Sequence, residues 1–167
     1  DAFAGLSPED GDLVKSKQGF SIYDGYEWNG SLQALTPGQG YMYMSQSSET
    51  RTFRYPVSIY LNTRRIAAER SLNGVFVPTD NSQFPGNMTV VARVTYDGQP
   101  LANSEIGVFN GDECRSAEFT NDNGIVFLTI PGNGGEELSF IIPFNGVMLK
   151  STATISYEDD GIIGSPN

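Results

Sequence analysis

The sequence predicts an all-β protein made of two small β-rich modules, of which the C-terminal one is an antiparallel Ig-like β-sandwich. Short runs of alternating apolar and polar residues indicate strands with one buried face. Turn pairs such as Asn-Gly and Asp-Gly separate these runs about every 8–12 residues in the second half, as in β-sandwiches. Because no long helical period intervenes, a doubly wound parallel sheet is not expected.

Residues 1–57 are predicted to form the first module. A short helix is expected at its start, where Ala2, Phe3 and Leu6 have roughly helical spacing. The rest of the module alternates between short strands and tight turns, beginning with the turn pair Asp24-Gly25. The predicted strands are FSIY, YEW, SLQAL, YMYMS and TRTFRYPV.

Residues 58–85 are expected to be an irregular connecting segment, because turn formers are spread through them. Residues 86–167 are expected to form the sandwich module. Its predicted strands are MTVVARVTY, SEIGVF, ECRSAEF, IVFLTI, ELSFII and VMLKSTATISY. The run IVFLTI is almost continuously apolar, which predicts a central strand covered on both faces.

The single cysteine, Cys114, is predicted to lie in a hairpin of the sandwich. With a three-residue loop over Asn110–Asp112, Val108 would face Cys114 and place it on the apolar inner face. Arg115 would then lie on the outer face, near Glu105. A buried thiol of this kind behaves as a small hydrophobe rather than as a nucleophile.

The composition excludes several classes of function. The formal net charge of −10 disfavours binding to nucleic acids and to anionic membranes. The sequence has no histidine, so Ser-His-Asp and Cys-His catalysis are impossible. One cysteine allows no internal disulfide, and no apolar run reaches the length of a membrane span. The first residues do not form a signal peptide, so the protein is expected to be cytosolic or to have lost a leader.

Two parts of the sequence carry a family resemblance. The first includes Gly11-Asp12, Lys15-Ser16, Trp28 and the segment PGQGYM at positions 37–42, and the second includes EIGVFNGDECRSA, NGIVFLTIPG and ISYEDDGIIGSPN. Together they resemble a two-module family of secreted and surface proteins of Bacteroidetes-type bacteria. The sandwich also resembles carboxypeptidase-regulatory-like and Ig-like domains.

The resemblance implies a secreted or cell-surface, non-catalytic, adhesin-like protein with no catalytic residues. Family members usually have one more strand before this sequence and one after it. The first module is therefore expected to be truncated at its start, and the chain to be an excerpt of a larger protein.

The first module contains aromatic residues that invite a carbohydrate-binding hypothesis, because sugars stack on exposed aromatic rings. The alternative is that the rings fill the core of a small module, since tyrosine and tryptophan bury well when their polar group finds a partner. The five candidate ligand-binding residues are Tyr23, Tyr26, Trp28, Tyr41 and Tyr43.

Four acidic residues near glycines are weak candidates for a structural calcium ion, although neither loop has the EF-hand spacing. They are Asp122 in NDNG and Glu158, Asp159 and Asp160 in EDDG. Aspartate before glycine is also a usual turn residue. No other cofactor is expected.

The sequence therefore predicts a non-enzymatic extracellular adhesion or spacer module of a larger bacterial surface protein. Its expected partners are other domains of the parent chain and a host, matrix or glycan ligand. The alternative is a carbohydrate-binding module that uses exposed aromatic residues around Trp28. A hydrolase based on a carboxylate pair is a third, remote hypothesis.

Overall fold

The computed structural model describes residues 7–36, 38–53 and 74–166, and the fold of these residues is all-β, as the sequence predicts. The described residues contain no α-helix, only the 3-10 turn Asn81–Gln83. Ala2, Phe3 and Leu6, on which the predicted N-terminal helix rests, lie outside the described residues. The strands are β1 (Leu13–Lys15), β2 (Phe20–Tyr23), β3 (Trp28–Gly30), β4 (Met42–Met44), β5 (Gly86–Arg93), β6 (Thr95–Tyr96), β7 (Gln99–Pro100), β8 (Glu105–Asn110), β9 (Glu113–Phe119), β10 (Ile125–Gly132), β11 (Glu137–Phe144), β12 (Val147–Ser156) and β13 (Ile162–Ile163).

The first module forms one antiparallel sheet, called here the first sheet, with the strand order β3-β2-β1-β4. The turn predicted at Asp24-Gly25 connects β2 to β3, and the Asp24 carboxylate holds it by accepting the backbone N–H groups of Tyr26 and Glu27. Alternation along β1 and β2 gives the sheet two different faces. Leu13, Phe20 and Ile22 share one face, and Tyr23 lies on the other.

The sandwich consists of a middle sheet, β10-β5-β13, and an outer sheet, β12-β11-β8-β9. The six strands predicted for this half are all present, although MTVVARVTY is divided into β5 and β6, and the short strands β7 and β13 were not predicted. All pairings are antiparallel except one, since β13 runs parallel to β5. The core between the two sheets is built from Met88, Val90, Ile106, Val108, Val126, Leu128, Ile130, Leu138 and Tyr157.

The first sheet packs on the middle sheet, so the two modules share a hydrophobic core, called here the junction core. Leu13, Phe20 and Ile22 meet Val91 of β5, and the ring centroids of Phe20 and Phe127 are 6.1 Å apart. The described residues therefore form three stacked layers of sheet.

A buried lysine links the same two layers. The Lys15 ammonium lies 2.6 Å from the Asp160 carboxylate and 3.4 Å from the Asn87 side-chain oxygen. The Lys15 side chain is 7% exposed, whereas that of Asp160 is 60% exposed. The charge of Lys15 is thus held inside the layer interface while its partner reaches water.

Strand β10, the run IVFLTI, is not the central strand that its apolar sequence predicted. It lies at the edge of the middle sheet, and β5 lies at the centre. Its apolar character has a different cause. Val126 and Leu128 face the sandwich core, and Ile125 and Phe127 face the junction core, so both faces of an edge strand are covered.

The predicted register of the β8–β9 hairpin is also wrong. Asn110 pairs with Glu113, which leaves the two-residue loop Gly111-Asp112 instead of a three-residue loop. Gly111 has φ +58°, and Asp112 has a negative φ, as in a type II′ turn. Cys114 therefore pairs with Phe109.

A β-bulge at Arg115 shifts the rest of β9, so that Val108 pairs with Ser116. Cys114 is buried as predicted, but it lies on the face of the outer sheet that turns away from the sandwich core. Arg115 and Glu105 are buried too, at 5% and 6% exposure, rather than lying on a solvent face. The Glu105 carboxylate accepts the backbone N–H groups of Val75 and Phe76, so the segment that precedes the 3-10 turn covers this side of the sheet.

Candidate functional site

The structure brings three of the five candidate aromatic residues together. Tyr23 pairs with Trp28 across β2 and β3, and their ring centroids are 5.4 Å apart. The ring of Tyr43 lies 6.4 Å from that of Trp28. All three side chains are half-buried on the face of the first sheet that is remote from the junction core.

The other two candidates lie apart from this aromatic cluster. Tyr26, at the turn before β3, is 92% exposed and is one of the most accessible side chains described. Tyr41 is half-buried in the loop before β4, where its hydroxyl accepts the backbone N–H of Thr36 at 2.7 Å. That bond fixes the position of the Tyr41 ring.

A buried carboxylate anchors the aromatic cluster. Asp12 is 0% exposed and accepts hydrogen bonds from the Tyr43 hydroxyl and from the backbone N–H groups of Gln46 and Glu9. The Arg51 guanidinium lies 3.3 Å from the same carboxylate. Burial alone would raise the pKa of Asp12, but these hydrogen bonds and the arginine charge outweigh it and hold the pKa below its usual range.

The same network acts on the phenol. Burial, together with the bond to Asp12 and its negative charge, raises the pKa of Tyr43 well above its ordinary value. Tyr43 therefore stays a neutral hydrogen-bond donor. Its polar group has found a partner, which is the situation in which a tyrosine serves as a structural residue.

A polar cavity that sequence reasoning missed lies beside Tyr41. Its volume is about 320 Å³, and Gln18, Ser31, Gln39 and Tyr41 are among the residues that line it. Gln18 also lines a second cavity of about 150 Å³, which reaches into the sandwich module. The two cavities together are called here the polar groove. The lining residues come from separate loops and from strands β9 and β10, so no local sequence signal could have revealed the groove.

Two side chains with unpartnered polar atoms lie at the inner end of the polar groove. Nε and Nη1 of Arg115 and Oγ1 of Thr129 are buried and make no hydrogen bond within the described part of the chain. The remaining nitrogen and the planar face of the Arg115 guanidinium do have partners. Its Nη2 lies 2.8 Å from Glu136, and its guanidinium stacks on the ring of Phe84 at 4.3 Å.

The calcium candidates do not converge. Asp122 accepts a bond from the Asn103 amide, Asp159 accepts one from the Tyr157 hydroxyl, and Asp160 is paired with Lys15. The carbonyl of Glu158 accepts the N–H of Gly161. In the described ranges, no three carboxylate or cysteine side chains are grouped in a way that could hold a metal ion.

The surroundings of Cys114 disfavour ionisation of its thiol. Burial raises the pKa of its thiol, and the nearby charge of Glu105 raises it further. The thiol points to the carbonyl of Ser116 at 3.5 Å. Because the thiolate is disfavoured, this site does not suit nucleophilic catalysis.

A larger apolar cavity lies between the two sheets of the sandwich, alongside the free edge of β12. It has a volume of about 530 Å³, and Ala92, Leu128, Phe140 and Leu149 are among its lining residues. Sequence reasoning missed this cavity as well, because strand patterns predict which side chains face inward but not how completely they fill the space.

Comparison of the chain with protein-family models and with curated proteins gave no match. Across residues 7–36, 38–53 and 74–166, no helix is long and apolar enough to cross a membrane.

Proposed function

We propose that this chain is a non-enzymatic extracellular spacer and adhesion unit of a larger bacterial surface protein, with an Ig-like sandwich as its second module. The junction core is the observation that carries the proposal. Two modules that share buried side chains and the Lys15–Asp160 pair move as one body, and a body of this kind holds neighbouring domains at a fixed distance. The resemblance to secreted and surface proteins supports the same function.

Single-molecule pulling tests the proposal directly. With the chain placed between marker domains, a rigid spacer should unfold in one step that releases about 55–60 nm of chain. A matched variant, Lys15→Met, removes the link to Asp160 and should lower the unfolding force. Two separate steps in the unmodified chain would contradict the proposal, because they would mean that the modules yield independently.

The second candidate function is carbohydrate binding at the aromatic cluster. The observation that favours it is the half-buried Trp28 ring beside Tyr23, with the fully exposed Tyr26 nearby. Trp28 is the only tryptophan of the chain, so its fluorescence reports on this site alone. Quenching by added glycans, abolished in Tyr23→Ala but kept in Tyr96→Ala, would support this function, and unchanged fluorescence with every glycan tested would exclude it.

A further inference from the structure

We propose that the polar groove is a binding site for a neutral oligosaccharide that lies across the boundary between the two modules. The proposal rests on the adhesion function, for which it names a ligand class and a site. It differs from the carbohydrate hypothesis above in location, because the groove contains neither Trp28 nor Tyr23.

The position of the groove follows from the turn between β1 and β2. The amide of Asn81, in the 3-10 turn of the sandwich side, donates to the carbonyl of Lys17 at 3.3 Å. Asn87 donates to the carbonyls of Ser16 and Lys17. These bonds hold the backbone next to Gln18, and the Gln18 side chain lines both cavities.

The side chains of the outer cavity suit a ligand that is rich in hydroxyl groups. The amides of Gln18 and Gln39 each offer two donors and one acceptor, and neither makes a side-chain hydrogen bond to another described residue. The ring of Tyr41, fixed by its bond to Thr36, supplies an apolar surface on which a sugar ring can stack. The cavity size is also that of small-molecule sites, which start at about 300 Å³.

The inner cavity has hydrogen-bonding capacity that the described residues do not use. Buried polar groups without a partner are uncommon and costly, so Arg115 Nε and Nη1 and Thr129 Oγ1 require an explanation. A sugar hydroxyl can accept from the guanidinium and can donate to or accept from the threonine. Reaching these atoms requires a small shift of the side chains above them, because they are buried from water.

Electrostatics select a neutral ligand over an acidic one. The Arg115 charge is already matched by Glu136 at 2.8 Å and by Glu113 at 3.3 Å. Since the chain as a whole carries a net charge of −10, a uronate or sulfated sugar would meet more repulsion than attraction.

The test is calorimetric titration of the whole chain with soluble neutral polysaccharides, namely starch, mixed-linkage β-glucan, xylan, mannan and galactan. Polygalacturonate and hyaluronan form the acidic arm. We expect at least one neutral polymer to bind, and Gln18→Ala and Tyr41→Ala to weaken that binding about tenfold or more. The matched controls Gln99→Ala and Tyr96→Ala, an exposed amide and an exposed ring outside the groove, should leave the affinity unchanged.

Thr129→Val separates binding from folding. The substitution removes the unpartnered hydroxyl at nearly constant volume, so we expect an equal or higher unfolding midpoint together with weaker binding. Binding to no neutral polymer with a Kd below about 1 mM, or to acidic polymers only, overturns the proposal. Binding that is lost in Tyr26→Ala or Tyr23→Ala but kept in Gln18→Ala also overturns it and moves the site to the aromatic cluster. None of these outcomes affects the spacer function, which the pulling experiment tests separately.

Discussion

Phe20→Ala tests the claim that the junction core joins two modules into one cooperative unit. The Phe20 side chain is fully buried and packs with Val91 and Phe127. Loss of its buried surface costs about 2–3 kcal/mol. A residual cavity of about 60 Å³ adds about 1.5 kcal/mol, so the free energy of unfolding should fall by about 4 kcal/mol. With a urea dependence of about 2 kcal/mol per M, the midpoint should fall by about 2 M.

Two probes report on the two modules during the urea titration. Trp28 fluorescence follows the first sheet, and far-UV circular dichroism is dominated by the longer strands of the sandwich. Both midpoints should fall together in Phe20→Ala. Val91→Ala, which lies in the sandwich, should also lower the midpoint seen by Trp28, and Tyr26→Ala should change neither. If only the Trp28 transition moves in Phe20→Ala, the shared core does not couple the modules and the reasoning is refuted.

Further predictions concern acid, alkali, the thiol and the apolar cavity. The pKa of Asp12 is lower in the folded protein than its ordinary value of 3.8, so the stability that its carboxylate provides is present above that value and is lost as the pH falls below it. Asp12→Asn should lower the free energy of unfolding by about 3 kcal/mol near neutral pH. The same variant should show a weaker loss of stability at acid pH than the unmodified protein. Burial and the charge of Asp159 raise the pKa of Tyr157 from 10.0 to about 12, so the unfolding free energy should fall as the pH rises from 10 towards 12, and Tyr157→Phe should weaken that fall. Cys114 should react with a thiol reagent only as fast as the protein unfolds, and rapid labelling in the absence of denaturant would show that it is exposed. Ala92→Val should partly fill the cavity between the sheets and raise the stability by about 1 kcal/mol in thermal unfolding, whereas a lower melting temperature would show that the cavity wall is already tightly packed.

Turn residues and alternation were sufficient to predict the longer strands of the sandwich but not β7 and β13, because turns and alternation are local properties of the chain and two-residue strands are too short to show them. The hairpin register was not predictable in the same way. The letters NGDEC fit a loop of two or three residues, and a slip of one residue exchanges the two faces of the strand. The bulge at Arg115 then shifts the faces again, and only the burial of Glu105 and Arg115 under a distant segment shows which arrangement is adopted.

The candidate site was less predictable than the fold because it depends on contacts between distant parts of the chain. The sequence indicated the aromatic residues but not that Tyr23, Trp28 and Tyr43 would cluster while Tyr26 and Tyr41 lie apart. The burial of both faces of β10 was unpredictable for the same reason, since the distant first sheet covers one of those faces.

The bond from Lys15 to Asp160 joins residues that are 145 positions apart, and this separation has a consequence for biosynthesis. During translation, the apolar face of the first sheet cannot be covered until β5 and β10 have been synthesised. Phe127 follows Phe20 by roughly 100 residues, which corresponds to about 5–20 s of chain growth. Over that interval Leu13, Phe20 and Ile22 have no docking surface, so a nascent chain that stalls before β5 should bind chaperones or aggregate. The contacts of the junction core and the Lys15–Asp160 pair thus form only after β10 and Asp160 have been synthesised.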